Sequence, residues 1–326
     1  MKSFFFSKIG LVIMSTLLPL ILGAAGYEIY RQIEHAQWSK EFSKQGWFKK
    51  MTIPSPNETL IWEYRPYGTA LGGFALNRYG FRDRDYETPK KPDDVYRIAF
   101  VGDSVTLGML IGKVENVFVS KFEKLVNERR EHRRVQALNF AVDGYNTLQI
   151  TEMIRKKVLP FEPDKIVYVM CLNDFDFETS SGFKMLLLRP PKSFLWQKLR
   201  ILWRNFRKIE FHRYCYNLNE DEVYENIAQT NKDLKKKGYE LEAAILPVFP
   251  VPPFFAGGFD HYQFHDIHED LHRFFKSQQI PYVDLLPDFV RYKDRPIFEL
   301  AFDTWHPTVF GHQVIAEALA RKLKLN

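Results

Sequence analysis

From Tyr96 onward the chain alternates short apolar runs with amphipathic stretches. Tyr96 to Val101 (YRIAFV), Val135 to Val142, Lys165 to Cys171, Leu241 to Val248 and Pro281 to Leu285 are five to eight residues long and read as buried strands. Between them, Glu115 to Arg130, Thr147 to Val158, Glu220 to Lys237 and His261 to Ser277 repeat apolar residues every three or four positions, and Thr308 to Leu323 does so after the last run. These spacings predict helices. Strand alternating with helix predicts an α/β domain whose parallel central sheet is covered on both faces. Ligands of such sheets bind beyond the carboxyl ends of the strands, so chemistry is to be sought in the loops that leave them.

Upstream the pattern is different. Residues 9 to 27 contain no charged residue and follow Lys2 and Lys8. At 1.5 Å per residue this run reaches about 28 Å, enough to cross a hydrocarbon core. It is read as an uncleaved N-terminal anchor with the amino end inside, which places the main domain in the periplasm or cell exterior. The alternative is a signal sequence cleaved near the small residues Gly23 to Gly26, giving a secreted chain. Residues 28 to 50 read as a stalk helix, and residues 51 to 94, rich in Pro, Gly, Tyr and Arg, as an irregular lead-in wrapped on the main domain. The organisation predicted is therefore an anchor over 1–30, stalk and lead-in over 31–94, and one domain over 95–326.

Composition narrows the class without naming a function. With 45% hydrophobic and 26% charged residues among 326, the bulk of the chain is expected to fold in water. Cys171 and Cys215 are too few for a disulfide scaffold and lack zinc-site spacing.

The strand ends carry the chemistry. After the first strand comes Gly102-Asp103-Ser104, after the second Asp143-Gly144, and after the third Leu172-Asn173-Asp174. Asp303-Thr304-Trp305-His306 lies just ahead of the last helix. Serine is a weak nucleophile that needs a base within hydrogen-bond reach, which His306 can supply and Asp303 can orient. The developing oxyanion needs fixed donors, and the amides of Ser104 and Gly144 with the side chain of Asn173 offer three.

These four blocks, in this order, resemble the SGNH hydrolase superfamily of GDSL-type esterases and lipases over about residues 96 to 323. The resemblance implies a three-layer, flavodoxin-like α/β/α fold and ester hydrolysis or acyl transfer through an acyl-serine, without metal or cofactor. It assigns Ser104 as nucleophile, His306 as base, Asp303 as its orienter, and Ser104, Gly144 and Asn173 as the oxyanion hole. The block reads G-D-S-V-T rather than G-D-S-L, and Leu172 stands where glycine is frequent. The lead-in Asn77-Arg78-Tyr79-Gly80-Phe81-Arg82-Asp83 resembles the N-x-x-G-F-R-D stretch of membrane-anchored bacterial members, often associated with exported polysaccharide. The expected partner is thus an acyl-ester substrate, with an O-acetylated cell-surface polysaccharide the best guess. A lipase at the membrane surface and a non-catalytic glycan-binding scaffold are the alternatives.

Other features read more plainly. Asp174 is expected to cap a turn, and His312 to be a surface or packing residue rather than a second base. His261, His265, His268 and His272 share one helical face, read as solvated with no metal assigned. Cys171 is read as buried packing, with a bridge to Cys215 left open. Lys184 to Arg213 holds nine Lys/Arg against one Glu, a net of +8 where the whole chain carries +6. Within it Trp196, Leu199, Leu202, Phe206 and Ile209 recur at helical spacing with basic residues interleaved, a basic amphipathic helix. It is read either as resting on the membrane or forming a lid, or as packing its apolar stripe on the domain. Nucleic acid is not an expected partner, since the chain is predicted to be exported and shows no recognised binding fold.

Overall fold

The computed structural model describes residues 2–43, 50–70, 73–86, 88–129, 133–177, 191–252 and 258–325, with the side chains of 2–14, 38, 39 and 41–43 outside the description. Helix α1 runs from Lys2 to Ser43 without a break, joining the apolar stretch to the stalk. Among the described residues no helix is long and apolar enough to cross a membrane. Within the apolar run the described side chains begin at Ser15, and Glu28, Arg31 and Glu34 follow soon after it.

The lead-in is more ordered than its composition predicts. Strands β1 (Thr52–Pro54) and β2 (Trp62–Tyr64) pair antiparallel. Trp62 and Tyr64 are buried, and the rings of Trp62 and Tyr145 meet edge to face at 5.5 Å. The hydroxyl of Tyr145 donates to the Trp62 carbonyl and that of Tyr64 to Asp143. The lead-in is thereby fastened to the turn that holds Gly144.

Five strands form the main sheet: β3 (Val95–Gly102), β4 (Arg134–Ala141), β5 (Lys165–Met170), β6 (Glu240–Ile245) and β7 (Tyr282–Asp284). They are all parallel and lie in the order β4-β3-β5-β6-β7. Every residue of β3 and β5 is buried, which explains their continuous rather than alternating apolarity. Lys165, at the start of β5, is held there by Glu242 at 2.7 Å.

Among the helices of the domain are α2 (Ser104–Leu107), α3 (Phe118–Arg129), α4 (Thr147–Met153), α5 (Phe194–Arg207), α6 (Phe211–Lys236), α7 (His265–Ser277) and α8 (Val309–Lys322). Helix α3 packs on α8, and α4 packs on α6. Strand order reverses beside β3, and right-handed crossovers on either side of that point put the two groups on opposite faces. The result is the predicted parallel sheet between helical layers, with its switch point between β3 and β5.

Among the boundaries that differ from expectation, two bear on the site. Helix α6 begins at Phe211, nine residues before the predicted Glu220, because Glu210 caps it by accepting the Arg213 amide at 3.0 Å. The predicted basic segment 184–213 is not one helix: α5 covers Phe194–Arg207 and ends where Lys208 takes φ +52, residues 211–213 already belong to α6, and residues 184–190 lie outside the described residues.

Candidate active site

Ser104 is the first residue of α2, directly after β3. Asp103 caps that short helix by accepting the Val105 amide at 2.9 Å. A Cβ at Gly102 would lie 2.3 Å from Thr106 Oγ1 and 3.0 Å from the Val169 carbonyl, so any larger residue there would have to displace Thr106. The turn is tight enough to lift the Ser104 hydroxyl off the strand end.

His306 arrives from a different part of the chain. The bridge between Ala301 and Pro307 closes residues 302–306 into a small loop, and the Phe302 amide donates to the His306 carbonyl at 2.8 Å. A further bond from the Phe249 amide to the Thr304 carbonyl, 2.9 Å, ties the loop to the chain leaving β6. Asp303 Oδ1 accepts the amides of Trp305 at 2.8 Å and His306 at 2.7 Å, and Oδ2 lies 2.7 Å from His306 Nδ1. His306 Nε2 is 3.0 Å from Ser104 Oγ. The three residues predicted from the sequence are thus joined in one hydrogen-bonded chain across 202 positions of sequence.

The competing contact of Ser104 Oγ is to Asp103 Oδ2 at 3.4 Å. A hydroxyl has one proton, and the shorter, better-placed acceptor is the imidazole. Burial pushes the Asp303 carboxyl up, but the bond and charge of His306 and the two backbone amides outweigh it, so Asp303 titrates below the ordinary carboxylate range.

Asn173 lies in the turn after β5 and donates from Nδ2 to Asp103 Oδ2 at 2.6 Å, the same oxygen that Ser104 Oγ approaches. Asp103 therefore fixes the Asn173 amide beside the serine, a role that sequence reasoning missed; its position between Gly102 and Ser104 gave no sign of a contact 70 residues away. Burial raises the Asp103 pKa against the pull of Val105, Asn173 and His306. Gly144 stands at the turn after β4, the neighbour of β3, with φ +72, a left-handed conformation that glycine adopts without strain.

Asp174 is wholly buried behind the site, where Oδ2 accepts the Tyr168 hydroxyl at 2.9 Å and the Cys171 amide at 3.0 Å, the turn-capping role expected of it. Burial and then the nearby Asp103 charge raise its pKa well above the usual value. Ionising it costs the folded state, and that cost shrinks once the pH falls below its raised pKa. Asp174→Asn keeps an oxygen for both donors. We expect it to be more stable than the parent at pH 8, with the gain fading on acidification; urea midpoints across pH that show a loss at pH 8 would reject this.

The lead-in motif also reaches the site. Arg82, buried, donates to the carbonyls of Leu107 at 3.2 Å, Gly108 and Ile111, which form the loop following Ser104. Its guanidinium lies 3.6 Å from the Phe74 ring centroid, and burial lowers its pKa to about 10. Asp83 accepts the Asn139 amide at 2.8 Å from within β4. Arg82→Ala is expected to cost about 3 kcal/mol or more, and Arg82→Lys to recover only part, because an ammonium cannot span three acceptors as the planar fork does. A midpoint for Arg82→Lys equal to the parent's in denaturant unfolding would contradict it.

A cavity of about 470 Å³ adjoins Asp303, walled by Phe211, Val251, Pro252, Phe298, Phe302 and Trp305. The Trp305 indole donates at 2.8 Å to His212 Nε2, whose Nδ1 lies 2.7 Å from Glu210. An indole only donates, so His212 carries its proton on Nδ1 toward Glu210. That arrangement anchors the loop of Asp303 and His306 to α6.

His312 fills the packing role, one of the two expected of it: it is buried, stacks on the Phe118 ring, accepts the Phe118 amide on Nδ1 at 3.2 Å, and has its pKa pushed down to about 3 by burial and by the Arg82 charge. The four-histidine face is not uniformly solvated. His268 Nδ1 and His272 Nε2 lie 3.0 and 2.8 Å from Asp284 Oδ2, and the ligand atoms of the three residues fall within 4.8 Å of one another, close enough to hold an ion. Tyr262 Oη accepts the Val248 amide at 3.0 Å and lies 3.0 Å from His268 Nε2, so its proton goes to that nitrogen. His268 then directs its own proton at Asp284, and the hydrogen bonds close without an ion. The helical spacing could not show this, because Asp284 comes from β7. Cys171 and Cys215 are both buried and are not bridged to each other.

A family model described as GDSL-like Lipase/Acylhydrolase family matches residues 100–314, more than half of the chain. No curated protein matches it. Among solved structures, an acetyl xylan esterase, AlAXEase, aligns with 14% identity over 70% of this chain and 100% of its own, with a TM-score of 0.46. Axe2, an acetylxylan esterase from Geobacillus stearothermophilus, aligns with 16% identity over 71% and 95% and a TM-score of 0.48. LAE5, an α/β hydrolase enzyme from the metagenome of Lake Arreo, Spain, aligns with 20% identity over 70% and 94% and a TM-score of 0.45.

Proposed function

From its place in the GDSL-like lipase/acylhydrolase family, to which this chain belongs, we propose that it is a serine esterase that removes or transfers O-acetyl groups on a cell-surface polysaccharide. The observation that carries the serine mechanism is the continuous chain of hydrogen bonds from Ser104 Oγ through His306 to Asp303. In this reading Ser104 Oγ attacks the ester carbonyl as His306 Nε2 takes its proton. The tetrahedral oxyanion is met by the Ser104 and Gly144 amides and the Asn173 side chain. His306 then gives the proton to the departing alkoxide, leaving an acyl-Ser104. Water, or a sugar hydroxyl in the transferase case, loses its proton to His306 as it attacks the acyl carbonyl; the bond to Ser104 Oγ then breaks and Oγ takes that proton back from His306. Asn173→Ala is expected to lower kcat by about 10²–10³-fold with KM nearly unchanged, in steady-state assays with p-nitrophenyl acetate.

The polysaccharide and the anchor are supported by sequence. The uncharged run over 9–27, behind Lys2 and Lys8, supports a single N-terminal anchor with the catalytic domain outside the cytoplasm. The resemblance of residues 77–83 to membrane-anchored, polysaccharide-associated proteins supports the substrate class. A second reading, a lipolytic enzyme, is favoured by the largely apolar cavity beside Asp303. Relative kcat/KM for p-nitrophenyl acetate and octanoate decides between them: preference for acetate supports the acetylesterase, and preference for octanoate the lipase. Failure of a fluorophosphonate to label Ser104 in the folded chain would sink both in favour of a binding scaffold.

A further inference from the structure

Helix α5 is built inside out for a helix on a water-soluble domain. At 3.6 residues per turn, Trp196, Leu199, Leu202, Trp203 and Phe206 fall within an arc of roughly 120°. A soluble helix turns such a stripe toward the core. Here the stripe faces outward: Phe206 is 83% exposed, Trp196 60%, Trp203 55% and Leu202 54%. The opposite side makes the contact with protein, through buried Phe194 and the half-buried Ile201 and Arg204. This excludes the alternative that α5 packs its apolar stripe on the domain.

Charge and position say what covers the stripe. Helix α5 contains no acidic residue, and Lys198 on one side of the arc and Arg200 and Arg207 on the other carry exposed or half-exposed cations. Tryptophans with flanking Lys/Arg suit the boundary between acyl chains and anionic headgroups, where long basic side chains reach outward from a buried stem. Helix α5 is also fixed at a defined point on α1. Glu28 accepts the Phe194 amide at 2.9 Å, the Leu195 amide at 3.0 Å and the Ser193 hydroxyl at 3.0 Å, so its carboxylate closes the amino end of α5. Glu28 is the residue immediately after the uncharged run 9–27, on which Leu20, Ile21 and Leu22 are all exposed. These two exposed apolar surfaces are therefore joined at the level where charge resumes.

We propose that α5 lies in the interfacial layer of an anionic lipid bilayer, with its Trp196–Phe206 stripe at the acyl boundary and Lys198, Arg200 and Arg207 toward headgroup phosphates. This deepens the membrane-anchor reading and rests on it for the depth of α5. It also sets the catalytic site at the lipid surface. At the far end of α5 the Arg204 guanidinium lies 5.7 Å from the Phe211 ring and 5.5 Å from that of Tyr214, on either side of His212, which holds Trp305 of the catalytic loop. Phe298 and Phe302, at the mouth of the cavity beside Asp303, are exposed as well. An ester presented from the membrane would meet the site without leaving the surface.

The test uses the full chain reconstituted in phosphatidylglycerol/phosphatidylcholine vesicles, with and without brominated acyl chains. Tryptophan emission is compared between the parent and Trp196→Phe/Trp203→Phe, so that the difference reports these two rings. The expected difference signal is blue-shifted and quenched about twofold by brominated lipid, and Leu202→Glu/Phe206→Glu, read in the same way, abolishes that quenching while the protein still floats with the vesicles. Both glutamate positions face solvent, so this variant retains the fold, checked by circular dichroism. Flotation with an unquenched difference signal overturns the proposal and leaves the anchor standing. Absence of flotation overturns the anchor and the proposal together.

Discussion

Ser104→Ala is expected to lower kcat/KM toward p-nitrophenyl acetate by about 10⁵–10⁶-fold while leaving stability within about 1 kcal/mol of the parent. The activity loss follows from removing the one oxygen that His306 Nε2 faces at 3.0 Å. The small stability effect follows from what remains: Asp103 keeps the Val105 amide at 2.9 Å and the Asn173 amide at 2.6 Å, so the turn retains its cap and the asparagine its partner. His306→Ala should cost nearly as much activity, and the double variant little more than either alone, because nucleophile and base act as one unit. Additive losses, measured as kcat/KM of the two single variants and the double, would show that the serine is activated by some group other than His306. Fluorophosphonate labelling, absent in Ser104→Ala and strong in the parent, separates loss of the nucleophile from loss of substrate binding.

That Ser104, His306 and Asp303 belong together was legible in the sequence because they sit where the topology brings loops to one edge of the sheet. Parallel strands buried on both faces need continuous apolarity, so β3, β4 and β5 stood out, and each is followed at once by a polar cluster at the sheet's reactive edge. What stayed hidden depends on long-range contacts between residues of unremarkable local context. The hairpin β1–β2 is too short to show a period, and its aromatics declare their role only against Tyr145. Arg82 was legible only as a member of the 77–83 motif; that its fork meets three carbonyls after Ser104 could not be read from it. His268 and His272 were placed on the right helix face, but the strand that supplies Asp284 decides what that face does. The period of α5 was read from the sequence; which way its stripe points was not, since amphipathicity fixes a face and not a neighbour.

Asp303→Asn is expected to reduce kcat by about 10⁴-fold with the protein folded and the substrate still bound. The argument lies in how the carboxylate is held. Oδ1 accepts two backbone amides, from Trp305 and His306, so an asparagine must place its carbonyl oxygen there and its NH₂ at the position of Oδ2. That NH₂ then donates to His306 Nδ1, which in the parent donates to Asp303 Oδ2 across 2.7 Å. The imidazole is forced to carry its proton on Nε2, pointing it at Ser104 Oγ, and a nitrogen that holds a proton cannot accept one. The carboxylate charge that would stabilise the imidazolium is lost at the same step. Because the backbone bonds survive, stability should change little, which distinguishes this variant from Asp303→Ala, where both amides lose their acceptor and the loop itself is expected to loosen. Steady-state kinetics with circular dichroism on both variants check the account. An Asp303→Asn enzyme within about tenfold of the parent would mean that His306 is oriented by its backbone and by Ser104 alone, and that the carboxylate serves the loop rather than the reaction.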